Sequence, residues 1–171
     1  MGAPKDARAW FEKGLALQSA GKAQEAIAAY DQAISLAPNN ATVLHNRGLA
    51  RQSLKQHAAA IDDFKRALAI KPDLAEAHFN LGNALADLNR PAEAVAEFRA
   101  AVALRPAFLQ AWHNLGEALQ AEGDLHEAMT AYKAAMSLEP GSFARIVNSL
   151  AAHSHGRLYL DLEALRRELT S

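Results

Sequence analysis

The chain has 171 residues, half of them apolar, with a formal net charge of −1; this is a globular composition, and it lacks the concentrated basic face that nucleic-acid binding needs. There is no cysteine, which excludes disulfides, zinc–thiolate sites and thiol catalysis. No run approaches the roughly 18 apolar residues of a membrane span, and the opening MGAPKDARAW has no apolar signal core, so the expectation is a cytoplasmic protein with neither membrane nor nucleic acid as partner.

Residues 1–6 are read as an N-terminal segment. From Ala7 onward the sequence repeats itself, with Pro4, Pro38, Pro72, Pro106 and Pro140 on one regular interval and Gly14, Gly48, Gly82 and Gly116 on the same one. Ala26, Ala60, Ala94 and Ala128 follow it, as do Ala33, Ala67, Ala101 and Ala135, and the aromatics Tyr30, Phe64, Phe98 and Tyr132. A fixed period of this length is the mark of a stacked repeat architecture. The units are 7–40, 41–74, 75–108 and 109–142, each predicted to hold two helices. In the third unit, Ala77, Leu81, Ala84, Leu85 and Leu88 form one helical stripe, and Ala94, Val95, Phe98, Ala101 and Val102 form the second. Pro91 sits where a first-turn proline is tolerated. Between the two helices of each unit stand Gly21, Lys55, Asn89 and Gly123; glycine and asparagine accept the left-handed conformation that ends a helix, and Lys55 is expected to be strained there.

Glycine inside a helix costs up to about 1 kcal/mol against alanine, so four in register imply close packing. The expected partners are the small alanines of the second helix, Ala94 for Gly82 and Ala128 for Gly116. The adjacent carboxylates Asp62 and Asp63 are expected to face solvent.

Residues 143–171 begin a fifth unit, with Phe143, Ile146, Val147 and Leu150 on one face, and then depart from it. After HSHG a short helix is expected, with Asp161 as N-cap and Leu158, Leu162, Leu165 and Leu169 on one side. The reading is a pair of C-terminal capping helices, since a stacked array has an open end. His153 and His155 flank a turn with no further metal ligand in view, and no cofactor or metal is expected anywhere in the chain.

The repeating phrase resembles the tetratricopeptide repeat (TPR) family. The fourth unit carries it most fully, in Trp112, Leu115, Gly116, Leu119, Ala128, Tyr132, Ala135 and Pro140. Lys13 and Arg47 stand where the family has leucine, and Arg51 where it has tyrosine or leucine; their stems can cover apolar surface while the charges reach water. The resemblance implies an all-α, right-handed TPR solenoid of helix-turn-helix repeats with a C-terminal helical cap. It also implies that the first helix of each unit lines a concave groove.

On that resemblance the sixth position of each unit faces the groove, and it holds Glu12 in the first unit and then Asn46, Asn80 and Asn114, continued by Asn148. A carboxamide offers both a donor and an acceptor, and a row of them can hold the N–H and C=O groups of an extended peptide. The row is similar to the asparagine ladder of the TPR superhelices attached to O-linked N-acetylglucosamine transferases. Asn83, His45, Phe79, His113 and Glu117 are placed beside it to give selectivity. The TPR domains that clamp acidic chaperone tails use inward lysines and arginines, whereas Phe11, Leu15 and Asn83 stand at such sites here, so a neutral or basic segment is the better ligand.

No phosphate loop, dinucleotide fingerprint or nucleophile elbow is present. The expected function is that of a non-enzymatic scaffold binding a protein or peptide partner in its groove. Two alternatives stay open: a homo-oligomer assembled through its ends or its C-terminal helix, and the substrate-recruiting part of a larger glycosyl- or methyltransferase. Frequent alanine and arginine suggest a GC-rich bacterial source.

Overall fold

The computed structural model describes residues 6–142 together with 144, 146 and 147. They form eight α-helices in series and no strand. These are α1 (Ala7–Ser19), α2 (Ala23–Leu36), α3 (Ala41–Ser53), α4 (His57–Ile70), α5 (Ala75–Asp87), α6 (Pro91–Leu104), α7 (Leu109–Glu122) and α8 (Leu125–Leu138), followed by a 3-10 turn at Pro140–Ser142. Side-chain caps start three of them: Asp6 accepts from the Ala9 N–H, Asn40 from Thr42 and Val43, and Asp124 from Glu127, each satisfying donors that the first turn leaves open. Pro91 begins α6. The chain reverses at Gly21, Lys55, Asn89 and Gly123, all with positive φ. Lys55 adopts φ 58° despite its side chain, so the strain expected there is present.

Two compact units divide the described chain, the first ending at Leu88 and the second starting at Asn89. In the first, α1 packs on α2, α2 on α3, α3 on α4 and α4 on α5. In the second, α6 packs on α7, α7 on α8, and α8 on the closing 3-10 turn. Within each unit every helix therefore contacts its neighbours in sequence, as stacked helix pairs require. Tyr30, Phe64, Phe98 and Tyr132 are buried at the centre of their units, beside the fully buried Ala26, Ala60, Ala94 and Ala128. Ile146 is buried as well, while Asn148 and the helix expected over Leu158–Leu169 lie outside the described residues.

The glycines corrected one expectation. A Cβ on Gly48 would lie 2.6 Å from Cε1 of Phe64. Gly14 meets the Tyr30 ring and Gly116 the Tyr132 ring in the same way. The aromatic ring, and not the alanine, occupies the space that the missing Cβ leaves, because the ring is the group that needs volume there. The Tyr30 hydroxyl then donates to Oε1 of Gln18 at 2.7 Å and that of Tyr132 to Gln120 at 3.0 Å, so each buried phenol has a partner.

A second correction concerns charge. Arg47 is 8% exposed and Asp63 is 1% exposed, although both were expected to reach water. Arg47 Nε donates to Asp63 Oδ2 at 2.9 Å, and Arg51 Nη1 to the same oxygen at 2.7 Å. Arg47 also pairs with Asp31 of α2. A guanidinium at a leucine position between packed helices cannot be neutralised, so burial without carboxylates would be costly. Burial opposes the charge on Arg47, yet its hydrogen bonds to Asp63 and Asp31 hold its pKa above the ordinary value.

Candidate functional site

In the first unit the expected site residues come from α3 and α5. His45 and Asn46 occupy consecutive positions on α3, and Phe79, Asn80 and Asn83 lie on α5; all five are partly buried. The two helices are joined directly, because Asn80 Nδ2 lies 3.0 Å from His45 Nε2. Asn46 Nδ2 donates to the carbonyl of Thr42, one turn earlier on its own helix, at 2.8 Å. The His45 ring packs tilted against Phe64 with centroids 5.6 Å apart. Burial lowers the pKa of His45 below its ordinary value, and the negative charge of Glu76 opposes the shift. A partly sheltered strip of carboxamide and imidazole thus runs from α3 to α5, able to accept and donate hydrogen bonds without carrying a fixed charge.

In the second unit, α7 carries His113, Asn114 and Glu117. His113 is 5% exposed, with its ring edge-on to Tyr132 at 5.9 Å. Its Nδ1 lies 3.5 Å from Glu117 Oε1. The ring therefore serves the packing and orients Glu117, leaving Asn114 and Glu117 as the partly exposed groups of this helix. Asn148 lies outside the described residues. In the first unit, Oδ2 of Asp87 on α5 lies 3.1 Å from Nδ1 of His57 on α4.

Sequence reasoning did not anticipate the ionic cluster of the buried Arg47 and Asp63 with Arg51 and Asp31. A signal for it existed: Arg47 and Asp63 are sixteen residues apart, the same step that brings Gly48 to Phe64. A cavity of about 620 Å³ in the second unit was also not foreseen. Val102, Pro106, Trp112, Leu115 and Leu119 line it, together with the ion-paired Arg99 and Glu127. Among the described residues no group of three or more histidines and carboxylates is placed to hold a metal ion, and no helix is long and apolar enough to cross a membrane.

Helix pairs tied by a glycine-to-ring contact define a helical-repeat protein, and comparison with known proteins agrees. The TPR repeat profile matches residues 14–55 and 52–89, and tetratricopeptide repeat profiles match 75–108 and 109–142. The chain belongs to the tetratricopeptide repeat family. Among curated proteins none matches. Among solved structures, a crystal structure of MamA is similar at 26% identity, covering 91% of this chain and 87% of its own, with a TM-score of 0.78. YrrB, described as a TPR protein with an unusual peptide-binding site, is similar at 25% identity over 96% of this chain and 87% of its own, with a TM-score of 0.80. The first TPR of Spaghetti (RPAP3), bound to the HSP90 peptide SRMEEVD, is similar at 29% identity over 69% of this chain and 94% of its own, with a TM-score of 0.68.

Proposed function

We propose that the protein is a non-enzymatic interaction module that binds an extended peptide segment along its first helices. The observation that carries this reading is the recurrence of a partly exposed carboxamide at one position of successive first helices, Asn46, Asn80 and Asn114. An asparagine there adds nothing to apolar packing, whereas an amide in a sheltered strip can pair with peptide backbone groups. Peptide binding by YrrB and by the RPAP3 repeat domain, both of similar fold, supports the same reading. The acidic peptide of the latter is the less suitable ligand type, since Phe11, Leu15 and Asn83 occupy sites where a carboxylate clamp would need cations. Phe79, Asn83 and Glu117 would select among sequences, with His45 and His113 holding their neighbours in place. Asn148 is assigned to the same row from its sequence position alone.

The test compares wild type with a variant carrying Asn46→Ala, Asn80→Ala and Asn114→Ala in affinity capture from the native lysate. Circular dichroism establishes equal helicity. A partner held by wild type and lost by the variant is the expected result; a partner held equally by both would place binding elsewhere.

Self-association is the second reading, and a feature of the first unit favours it. Trp10, Leu17, Ala28 and Ala29 line an open depression of about 410 Å³, and Lys13 Nζ lies 4.8 Å above the Trp10 ring. Repeat faces of this kind are normally covered by a neighbouring helix. Sedimentation across a concentration series separates the two, since a groove binder alone stays monomeric.

A further inference from the structure

Two amides of the first unit are already committed at one end. Asn46 gives an Nδ2 hydrogen to the Thr42 carbonyl, and Asn80 turns its Nδ2 towards His45. In both, the donor end faces protein and the oxygen is left for something else. This arrangement requires one tautomer of His45. A neutral imidazole has one N–H, so a ring nitrogen that receives an NH2 group must be the bare one, and the ring proton then sits on Nδ1. Withdrawal of the ring against Phe64 disfavours the imidazolium, which would carry hydrogens on both nitrogens and repel the NH2 group. Glu76, whose charge is felt at His45, adds a carboxylate, which can only accept. Arg47, the neighbouring cation in sequence, is spent on Asp63 and Asp31.

We propose that His45 is a positioning residue that turns the Asn80 amide so that this part of the surface presents oxygen acceptors, and that the ligand is an extended segment rich in N–H donors, with lysine or arginine among its side chains. The inference rests on the peptide-binding reading of the same face and specifies its polarity. Each NH2 keeps one hydrogen, so the face discriminates by the direction of its oxygens and by charge, and does not exclude acceptors outright.

Two measurements test this. Long-range nitrogen–proton correlation NMR of the full chain at neutral pH reads the tautomer of His45. A bare Nε2 is expected; a protonated Nε2 would overturn the proposal, because it would draw the Asn80 oxygen to the ring and turn the NH2 outward. The second is fluorescence polarisation with short acetylated and amidated glycine–serine peptides bearing either lysines or glutamates. The lysine peptide is expected to bind about ten-fold tighter, a difference of about 1.4 kcal/mol. His45→Leu, which removes the acceptor but leaves Asn80, is expected to erode that preference by several-fold. If Asn46→Ala and Asn80→Ala weaken both peptides equally and no preference exists, the polarity assignment falls and the peptide reading stands. If neither substitution alters binding of either peptide, both fall.

Discussion

Arg47 of α3 holds Asp63 of α4 with two N–H groups, Nε to Oδ2 at 2.9 Å and Nη2 to Oδ1 at 2.5 Å, in a place where the Asp63 side chain is 1% exposed. Arg51 reaches the same carboxylate. Two periods further along the chain the corresponding positions are Leu115, Leu119 and Ala131, three of the residues lining the 620 Å³ cavity. Three equivalent positions are thus filled by ions in one unit and by smaller apolar groups in the other.

Removing the carboxylate alone should be severe. Asp63→Ala leaves the buried Arg47 and the partly buried Arg51 with no shared carboxylate, and the expected loss is about 3–5 kcal/mol. Replacing the set with the residues found two periods on, Arg47→Leu, Arg51→Leu and Asp63→Ala together, should return stability to near wild type or above it, because hydrophobic substitutes for buried ions are often neutral or stabilising. Asp31, about half exposed, would return to water. Urea denaturation measures both, and a triple variant as weak as the single one would contradict this account.

Gly48→Ala sets helix propensity against packing. The backbone would gain up to about 1 kcal/mol, but the new Cβ meets Phe64 at 2.6 Å and overpacking costs about 1–3 kcal/mol. A net loss is expected, relieved in part by a second change, Phe64→Leu. A rise in the unfolding midpoint for Gly48→Ala alone would mean that the ring moves freely.

At Lys55 the backbone is left-handed, with φ 58°, where a side chain costs about 1–2 kcal/mol relative to the right-handed region. Lys55→Gly relieves this but frees the unfolded chain, so a net gain of about 0.5–1 kcal/mol is expected. Asn89→Gly, at φ 56°, should gain less, since asparagine tolerates the conformation. Thermal unfolding of the two variants side by side decides the order.

The pH dependence follows from His45. Its folded pKa lies below the ordinary 6.5 because of burial, with Glu76 opposing. The unfolded chain therefore takes up the proton first as pH falls. The contribution of His45 is fully present above about pH 6.5 and is lost as pH drops from there towards the lower folded value. Comparing His45→Gln with wild type should show a flatter profile in that window. Tyr30 behaves in the opposite direction: burial pushes its pKa up to about 12 from 10, so stability should decline as pH rises between those values.

The repeat made the fold readable. Prolines, glycines and aromatics at one period placed eight helices and four reversals, down to the strain at Lys55, because these residues act through local backbone geometry. Pairing between helices was less readable. The reading of Gly116 against Ala128 failed because proximity in a helical pair depends on where each side chain leaves its axis, and the sixteen-residue step to Tyr132 is not visible in either helix alone. Asp63 was misjudged for the same reason: beside Asp62 it reads as a solvated carboxylate, and only the step back to Arg47 reveals its partner. The candidate site was legible as a row of asparagines. That His45 would lie against Asn80 required the stacking of helices from different repeats, and that His113 would be withdrawn against Tyr132 required the packing of α7 on α8 within one repeat.

A chain of near-identical segments also faces a problem of order while it folds, since any first helix could dock on a second helix one or more periods away at little loss of apolar contact. The ionic cluster of α3 and α4 discriminates among those outcomes. Docked against α8, Arg47 and Arg51 would meet Ala131 in the place of Asp63, and their charge would be enclosed with no carboxylate to answer it. One period on, Glu97 of α6 stands in the place of Asp63 and keeps a carboxylate there, so the cluster acts as a key against the two-period register, a role separate from whatever it adds to the stability of the finished fold.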